Sequence, residues 1–221
     1  MPARVTTEAL TSAYIKAKRS VLACGFGHEI VWQRRVRPDE LTESTLLREC
    51  AWVILSCGMR ESVIRRKFAD VTRAFLDWTS AGLINSNRDE CIRSALQHFR
   101  NGSKIRAIAE TADIVHAKGF KAIRDEIALD PIGALKQFPF IGPRTSYHVA
   151  KNIGLSVVKP DRHLCRLAAL TGHQNPLDLC QEIAQYIGEP VSVVDIVLWR
   201  FAASNPDYLE AFLFAPKRMA H

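Results

Sequence analysis

Apolar residues recur at helical spacing along most of the chain, and this pattern narrows the possible folds more than any other feature. After Thr42, the residues Leu46, Leu47, Ala51, Val53, Ile54 and Leu55 form a broad stripe. Between Arg60 and Trp78 the stripe is Val63, Ile64, Phe68, Val71, Phe75 and Leu76. Residues three and four apart share one face of a helix, whereas a half-buried strand repeats every second residue. Val191–Leu198 is rich in β-branched side chains, yet its length and its helical neighbours favour a buried helix. The expected class is all-α.

The punctuation supports the same reading. Thr6 or Thr7 can cap a first helix running to about Ala23, and Gly25 and Gly27 break it. Phe26–Pro38, aromatic and basic, reads as extended or irregular. Thr42 starts the second helix, and Gly58 ends it. A third is expected over 60–78, and others over 88–100, 103–117 and 121–129. Asp130-Pro131 opens a short helix to Gln137, and Pro143 opens the next, to about Ile153. Helices over 161–170, 177–187 and 191–202 follow, and Pro206 begins a last short one.

A chain of 221 residues suits one compact unit of one or two lobes. The six cysteines, Cys24, Cys50, Cys57, Cys91, Cys165 and Cys180, are scattered and form no Cys-x-x-Cys pair. Buried, reduced thiols are expected, and neither a zinc nor an iron–sulfur site. No run approaches 18 apolar residues, so no membrane span is expected, and the N-terminal residues lack the apolar core of a signal peptide. A cytoplasmic, nucleoid-associated location follows. The net charge of +7 and pI near 9.3 suit a polyanionic partner, although charge alone does not identify nucleic acid.

The chemistry is concentrated in residues 138–166. Pro143 can occupy the first position of a helix, leaving the N–H groups of Gly142, Arg144 and Thr145 as a nest for phosphate. Gly142 permits positive φ and close backbone approach. Such a site positions a duplex without reading its sequence. The same pattern also makes an ordinary helix–turn–helix corner, and the turn by itself favours that reading. Asp161, after Lys159-Pro160, is a good helix N-cap. Two features point further. Asp161 follows the turn by one helix and one short loop, and it is flanked by Lys159, Arg162, His163 and Arg166, which can hold a phosphate backbone.

At these residues the chain resembles the helix-hairpin-helix DNA glycosylase superfamily, the group of endonuclease III and of the mismatch-adenine, 8-oxoguanine and alkyl-purine glycosylases. The family hairpin reads Leu-Pro-Gly-Val-Gly-x-Lys-Thr-Ala and is followed by Val-Asp-x-His-x-x-Arg. Phe138-Pro139-Phe140-Ile141-Gly142-Pro143-Arg144-Thr145-Ser146 matches the first part. Val158-Lys159-Pro160-Asp161-Arg162-His163-Leu164-Cys165-Arg166 matches the second with one insertion. Ala51–Ser56 is similar to the family's helix-ending Ile-Leu-Ser segment. The resemblance covers roughly 41–172. It implies a two-lobed all-α fold with a DNA groove between the lobes. One lobe would comprise 1–40 and 155–221, and the other 41–154, ending in the hairpin at 131–153. It also implies a monomer that acts on double-stranded DNA carrying a modified base, with Asp161 as the catalytic carboxylate. Gly142, Arg144, Thr145, Lys159, Arg162 and His163 would be the DNA contacts.

Four departures shape the expected activity. Phe140 replaces the first hairpin glycine. Arg144 stands where lyase-competent members carry the Schiff-base lysine, and a guanidinium stays protonated and is no amine nucleophile. A monofunctional glycosylase is therefore expected. The alternatives are a glycosylase with abasic-site lyase activity using Lys151 or Lys159, and a non-catalytic module that recognises DNA structure. In place of the glutamines that plug the gap left by a flipped base stand Cys57, Gly58, Met59 and Arg60, which makes Met59 or Arg60 the wedge. The family's four-cysteine iron–sulfur loop is absent, so no cofactor is expected beyond a monovalent cation at the hairpin. Trp32, Gln33, Tyr147, His148 and Asp195 are the candidates for the base pocket. For Trp32, Tyr147 and His148 plain packing competes, and for Asp195 a salt bridge.

Overall fold

The computed structural model describes residues 4–213. These form thirteen α-helices and two 3₁₀ turns, with no strand among the described residues. In chain order the helices are α1 (Thr7–Ala23), α2 (Gly27–Arg35), α3 (Glu43–Ser56), α4 (Glu61–Ala74), α5 (Ala81–Ser86), α6 (Arg88–His98) and α7 (Gly102–Lys118). There follow α8 (Phe120–Leu129), α9 (Pro131–Leu135), α10 (Thr145–Asn152), α11 (Arg162–Thr171), α12 (Pro176–Ile187) and α13 (Val191–Ser204). The 3₁₀ turns are Leu76–Trp78 and Glu210–Phe212. The chain divides into two compact units, one continuous, Arg37–Leu155, and one made from the residues up to Val36 and those from Ser156 onward. The first division thus falls four residues before the position read from the sequence, residue 40.

The discontinuous unit is organised on α13, which packs against α1, α2, α11 and α12. Val193, Val194, Val197 and Leu198 are fully buried there, with Leu10, Tyr14, Leu164, Leu167, Leu179 and Ile183 from the surrounding helices. Two ionisable residues share this buried helix, Asp195 at 1% and Arg200 at 8% exposure. Arg200 donates from Nε and Nη2 to the two carboxylate oxygens of Glu29, at 2.8 and 2.6 Å. Its guanidinium also lies 4.3 Å from the Phe26 ring centroid and 4.6 Å from that of Trp199.

That ion pair explains one correction. Phe26–Pro38 is not irregular; Gly27–Arg35 is helical. The segment has little apolar periodicity because its buried face is Glu29, Ile30 and Gln33, two of them polar. The partner that makes burial of Glu29 possible lies 171 residues away, beyond any local pattern. On α1, Thr6 caps as expected, accepting from the Ala9 N–H at 3.4 Å. The Tyr14 hydroxyl donates to Glu189 at 2.7 Å, and Lys18 and Arg34 pair with the same carboxylate, joining α1 and α2 to the α12–α13 connection.

In the continuous unit, α3 packs against α4, α7 and α10. Thr42 caps α3 by accepting from the Thr45 N–H at 3.1 Å. The far end of α3 is closed by Lys104 of α7, whose Nζ donates to the Leu55 and Cys57 carbonyls at 2.6 and 2.5 Å. A cation at a helix C-terminus satisfies its last carbonyls and complements its dipole. Burial of this amine lowers its pKa. Glu49 of α3 accepts from Asn152 of α10 at 2.8 Å. Burial raises the Glu49 pKa, while Arg48 and Asn152 oppose that rise.

The helix expected over 60–78 stops at Ala74 and gives way to three left-handed residues, Leu76, Asp77 and Trp78, with φ of 54, 52 and 59°. Left-handed backbone costs a non-glycine residue about 1–2 kcal/mol. Burial of Trp78 offsets that cost here. Its ring stacks on Phe75 at 5.3 Å and on Phe68 at 6.2 Å, and its Nε1–H donates to Thr72 at 3.1 Å. Helix α5 follows at once, capped by Ser80, and is too short to have shown a period in the sequence. Pro206 starts no α-helix; turns lead only to the 3₁₀ turn at Glu210–Phe212.

The cysteines are free thiols, but only Cys50, Cys91 and Cys180 are buried. Cys24 and Cys165 are exposed and Cys57 is partly so. Cys24 and Cys57 sit at helix C-caps, just past the apolar stripe, and Cys165 is on the outward side of α11. Among the described residues no helix is long and apolar enough to cross a membrane.

Glu29→Ala leaves Arg200 buried without its carboxylate. It should destabilise the fold by about 3–5 kcal/mol, read as a lowered urea midpoint. A loss below about 1 kcal/mol would place the support of α2 elsewhere.

Candidate functional site

The hairpin is formed by α9, the turn after it, and α10. Asp130 caps α9 by accepting from the Gly133 N–H at 2.9 Å. Phe138 and Ile141, at 2 and 3% exposure, anchor the turn in the core. Between them Phe140 has a φ of 62° and keeps 47% of its surface exposed. The left-handed residue of the turn is therefore Phe140, where the resembling family has its first glycine, and not Gly142. Pro143 does not open the helix; α10 begins at Thr145, with Arg144 in the N-cap position.

The phosphate nest is also narrower than expected. Gly142 donates its N–H to the Thr145 hydroxyl at 2.6 Å, and that hydroxyl lies 3.1 Å from the Phe140 carbonyl, to which it can donate. Thr145 thus braces the turn from within and occupies the Gly142 amide. The N–H groups of Arg144 and Thr145 have no acceptor among the described residues, and the Arg144 side chain is exposed. An anion at this helix end would meet two amides and one guanidinium.

The turn between α3 and α4 reaches the hairpin. The Cys57 thiol donates to the Val53 carbonyl at 3.2 Å and lies 3.9 Å from the Phe140 carbonyl. Met59, 41% exposed, and Arg60, also exposed, follow on this turn. Two exposed apolar side chains, Met59 and Phe140, therefore stand on contacting turns. The wedge candidates and the hairpin are brought together. Tyr147 and His148 on α10 are partly buried.

Asp161 belongs to the other unit. It caps α11, its Oδ1 accepting from the His163 and Leu164 N–H groups at 2.9 and 3.0 Å. Its Oδ2 accepts no hydrogen bond among the described residues, and the residue is partly exposed. The chain arrives through a tight turn in which the Asp161 N–H donates to the Lys159 carbonyl at 2.8 Å, across Pro160. The Lys159 N–H donates to Asp195 Oδ2, also at 2.8 Å. Asp195 is thus a buried acceptor for the loop before Asp161 and does not line an exposed pocket.

The remaining candidates divide by exposure. Arg162 is exposed and Lys159 partly so, as suits contacts to a phosphate backbone. His163 suits that task less well. Burial, reinforced by Arg162 and Arg166 and opposed by Asp161, lowers its pKa, so the neutral ring prevails at pH 7. The ring stands edge-on to Tyr208 at 5.2 Å, and its Nδ1 is buried without a partner. On α2, Trp32 is 38% exposed, whereas Gln33, at 2%, faces the interior and is unavailable to a ligand at the surface. Lys151 is 4% exposed, a poor position for attack on an external sugar.

Among the described residues no group of three or more His, Cys, Asp and Glu side chains is placed to hold a metal ion. No protein-family model, curated protein or solved structure matches the chain.

Unlike Trp78, Phe140 is left-handed without burial to offset the cost. Phe140→Gly should therefore raise the stability by up to about 1 kcal/mol, or ~2–4 °C in Tm. A lowered Tm in a thermal melt would show that the exposed ring stabilises the turn.

Proposed function

We propose that the protein is a monofunctional DNA glycosylase of the helix-hairpin-helix type, a monomer that releases a modified base from double-stranded DNA. The observation that carries this reading is the Asp161 carboxylate. One oxygen is fixed by two backbone amides, and the other is left without an internal partner in a partly exposed position. An ordinary cap needs only the first oxygen. The left-handed backbone at Phe140 adds support, because the turn takes the shape that a glycine would take at that place in the family hairpin.

In this mechanism the target nucleotide leaves the stack, with Met59 or Arg60 filling the gap. As the glycosidic bond breaks, positive charge grows on the sugar. Asp161 Oδ2 stabilises that charge and orients or deprotonates the attacking water. The amides of Arg144 and Thr145, with the side chains of Arg144, Lys159 and Arg162, bind phosphates. Arg144 cannot form a Schiff base, so the abasic strand stays intact. The second reading, a non-catalytic module for DNA structure, draws on the same cap, since Asp161 Oδ1 is fully used as a structural group.

Duplexes each carrying one altered base identify the substrate. On that substrate Asp161→Asn should lower single-turnover base release by about 10²–10³-fold, with DNA affinity retained. Near-normal release by the variant would remove Asp161 from the chemistry. Failure of the native protein to release any base would favour the non-catalytic reading. The product strand should break only after hot alkali, and borohydride should trap no covalent complex on abasic DNA. Neutral-pH nicking with trapping would instead assign lyase activity, with Lys159 the first residue to replace. DNA affinity should fall steeply with salt, as expected when lysine and arginine displace counterions from phosphates.

A further inference from the structure

We propose that Asp195 is a positioning residue that fixes where the unpartnered oxygen of Asp161 stands. The inference rests on the reading of Asp161 just given. Three hydrogen-bonded links run without a gap from the buried helix α13 to that carboxylate. Asp195 Oδ2 accepts the Lys159 N–H at 2.8 Å. The Lys159 carbonyl accepts the Asp161 N–H at 2.8 Å. Asp161 Oδ1 accepts the His163 and Leu164 N–H groups. Pro160, spanned by the second link, has its φ fixed by its ring, so the loop has little freedom left.

The origin of the chain of links is itself held firmly. Asp195 is 1% exposed, between Val194 and Val197, and the same helix is tied to α2 through Arg200 and Glu29. Burying a carboxylate costs several kcal/mol even when it is paired. The short bond from the Lys159 amide to Asp195 Oδ2 holds the loop in direction as well as in distance. Fixed direction matters where a charge must stand within a fraction of an ångström of a developing cation, since a misplacement of about 1 Å can lower a rate 10²-fold. Asp195 touches neither DNA nor the reacting atoms. Its effect on the reaction passes through the Lys159 loop to the position of Asp161.

The test needs no knowledge of the natural base. Two duplexes are compared, one with a protonated pyrrolidine in place of the sugar and one with the neutral tetrahydrofuran analogue. The ratio of their Kd values reads how well a carboxylate meets the cation. The native protein should prefer the cationic duplex by at least about 10²-fold, as transition-state mimics are preferred. Asp161→Asn should bring the ratio close to one while binding the tetrahydrofuran duplex as before. Asp195→Ala should lower the ratio tenfold or more; a displaced Lys159 phosphate contact or a general loss of stability would weaken both duplexes alike and leave the ratio as it was. Asp195→Asn, which keeps an acceptor for the Lys159 amide, should retain most of the preference. If Asp195→Ala does not fold, Asp195→Ser, too short to reach that amide, replaces it. A ratio unaltered by either short side chain overturns the role of Asp195 while leaving Asp161 in place. A native protein with no preference overturns the reading of Asp161, and this inference with it.

Discussion

Burying α13 obliges the protein to find partners for two charged side chains, and much of one unit follows from how it does so. The helix is otherwise apolar, and its valines and leucines form the centre of that core. Arg200 and Asp195 cannot enter such a core as isolated charges. Arg200 takes the carboxylate of Glu29, which pulls a weakly patterned segment into the helix α2. Asp195 takes the backbone amide of Lys159 and so fixes the loop that ends at Asp161. One folding constraint therefore leads to both an architectural element and the placement of the candidate catalytic group.

The continuous unit meets a comparable constraint at the end of α3. There the last carbonyls point into the protein and are met by the Lys104 amine. This closure brings the chain directly into the exposed turn with Met59, which touches the hairpin turn through Cys57. At the hairpin, Thr145 braces the turn from within and takes up the Gly142 amide that the sequence pattern had left open for phosphate. A turn held by its own hydroxyl is rigid, but it offers fewer amides outward.

The parts legible in the sequence were those set by local chemistry. Thr6, Thr42 and Asp161 mark helix starts because the capping side chain and the amide it receives lie within three residues. The long amphipathic stripes of α3 and α4 were legible for the same reason. Helix α2 was not, since the group that compensates Glu29 is far away in the chain. Nor was the left-handed run at Leu76–Trp78, where stacking of Trp78 on Phe75 and Phe68 overrides backbone preference. At the site, the cap role of Asp161 could be read from its neighbours. The occupation of the Gly142 amide and the use of Asp195 could not, because each depends on where a side chain points after folding.

The connectivity of the discontinuous unit has a consequence for the order of events during synthesis. Helix α1 leaves the ribosome ahead of the Arg37–Leu155 unit, with Leu10, Ala13, Tyr14, Ala17 and Val21 as its apolar face. The helices that cover this face, α12 and α13, are made only after the Arg37–Leu155 unit. At ~5–20 residues per second, the intervening Arg37–Leu155 unit takes roughly 6–24 s to be translated. That unit is continuous and can fold as it emerges. The apolar face of α1 stays without those partners throughout that time.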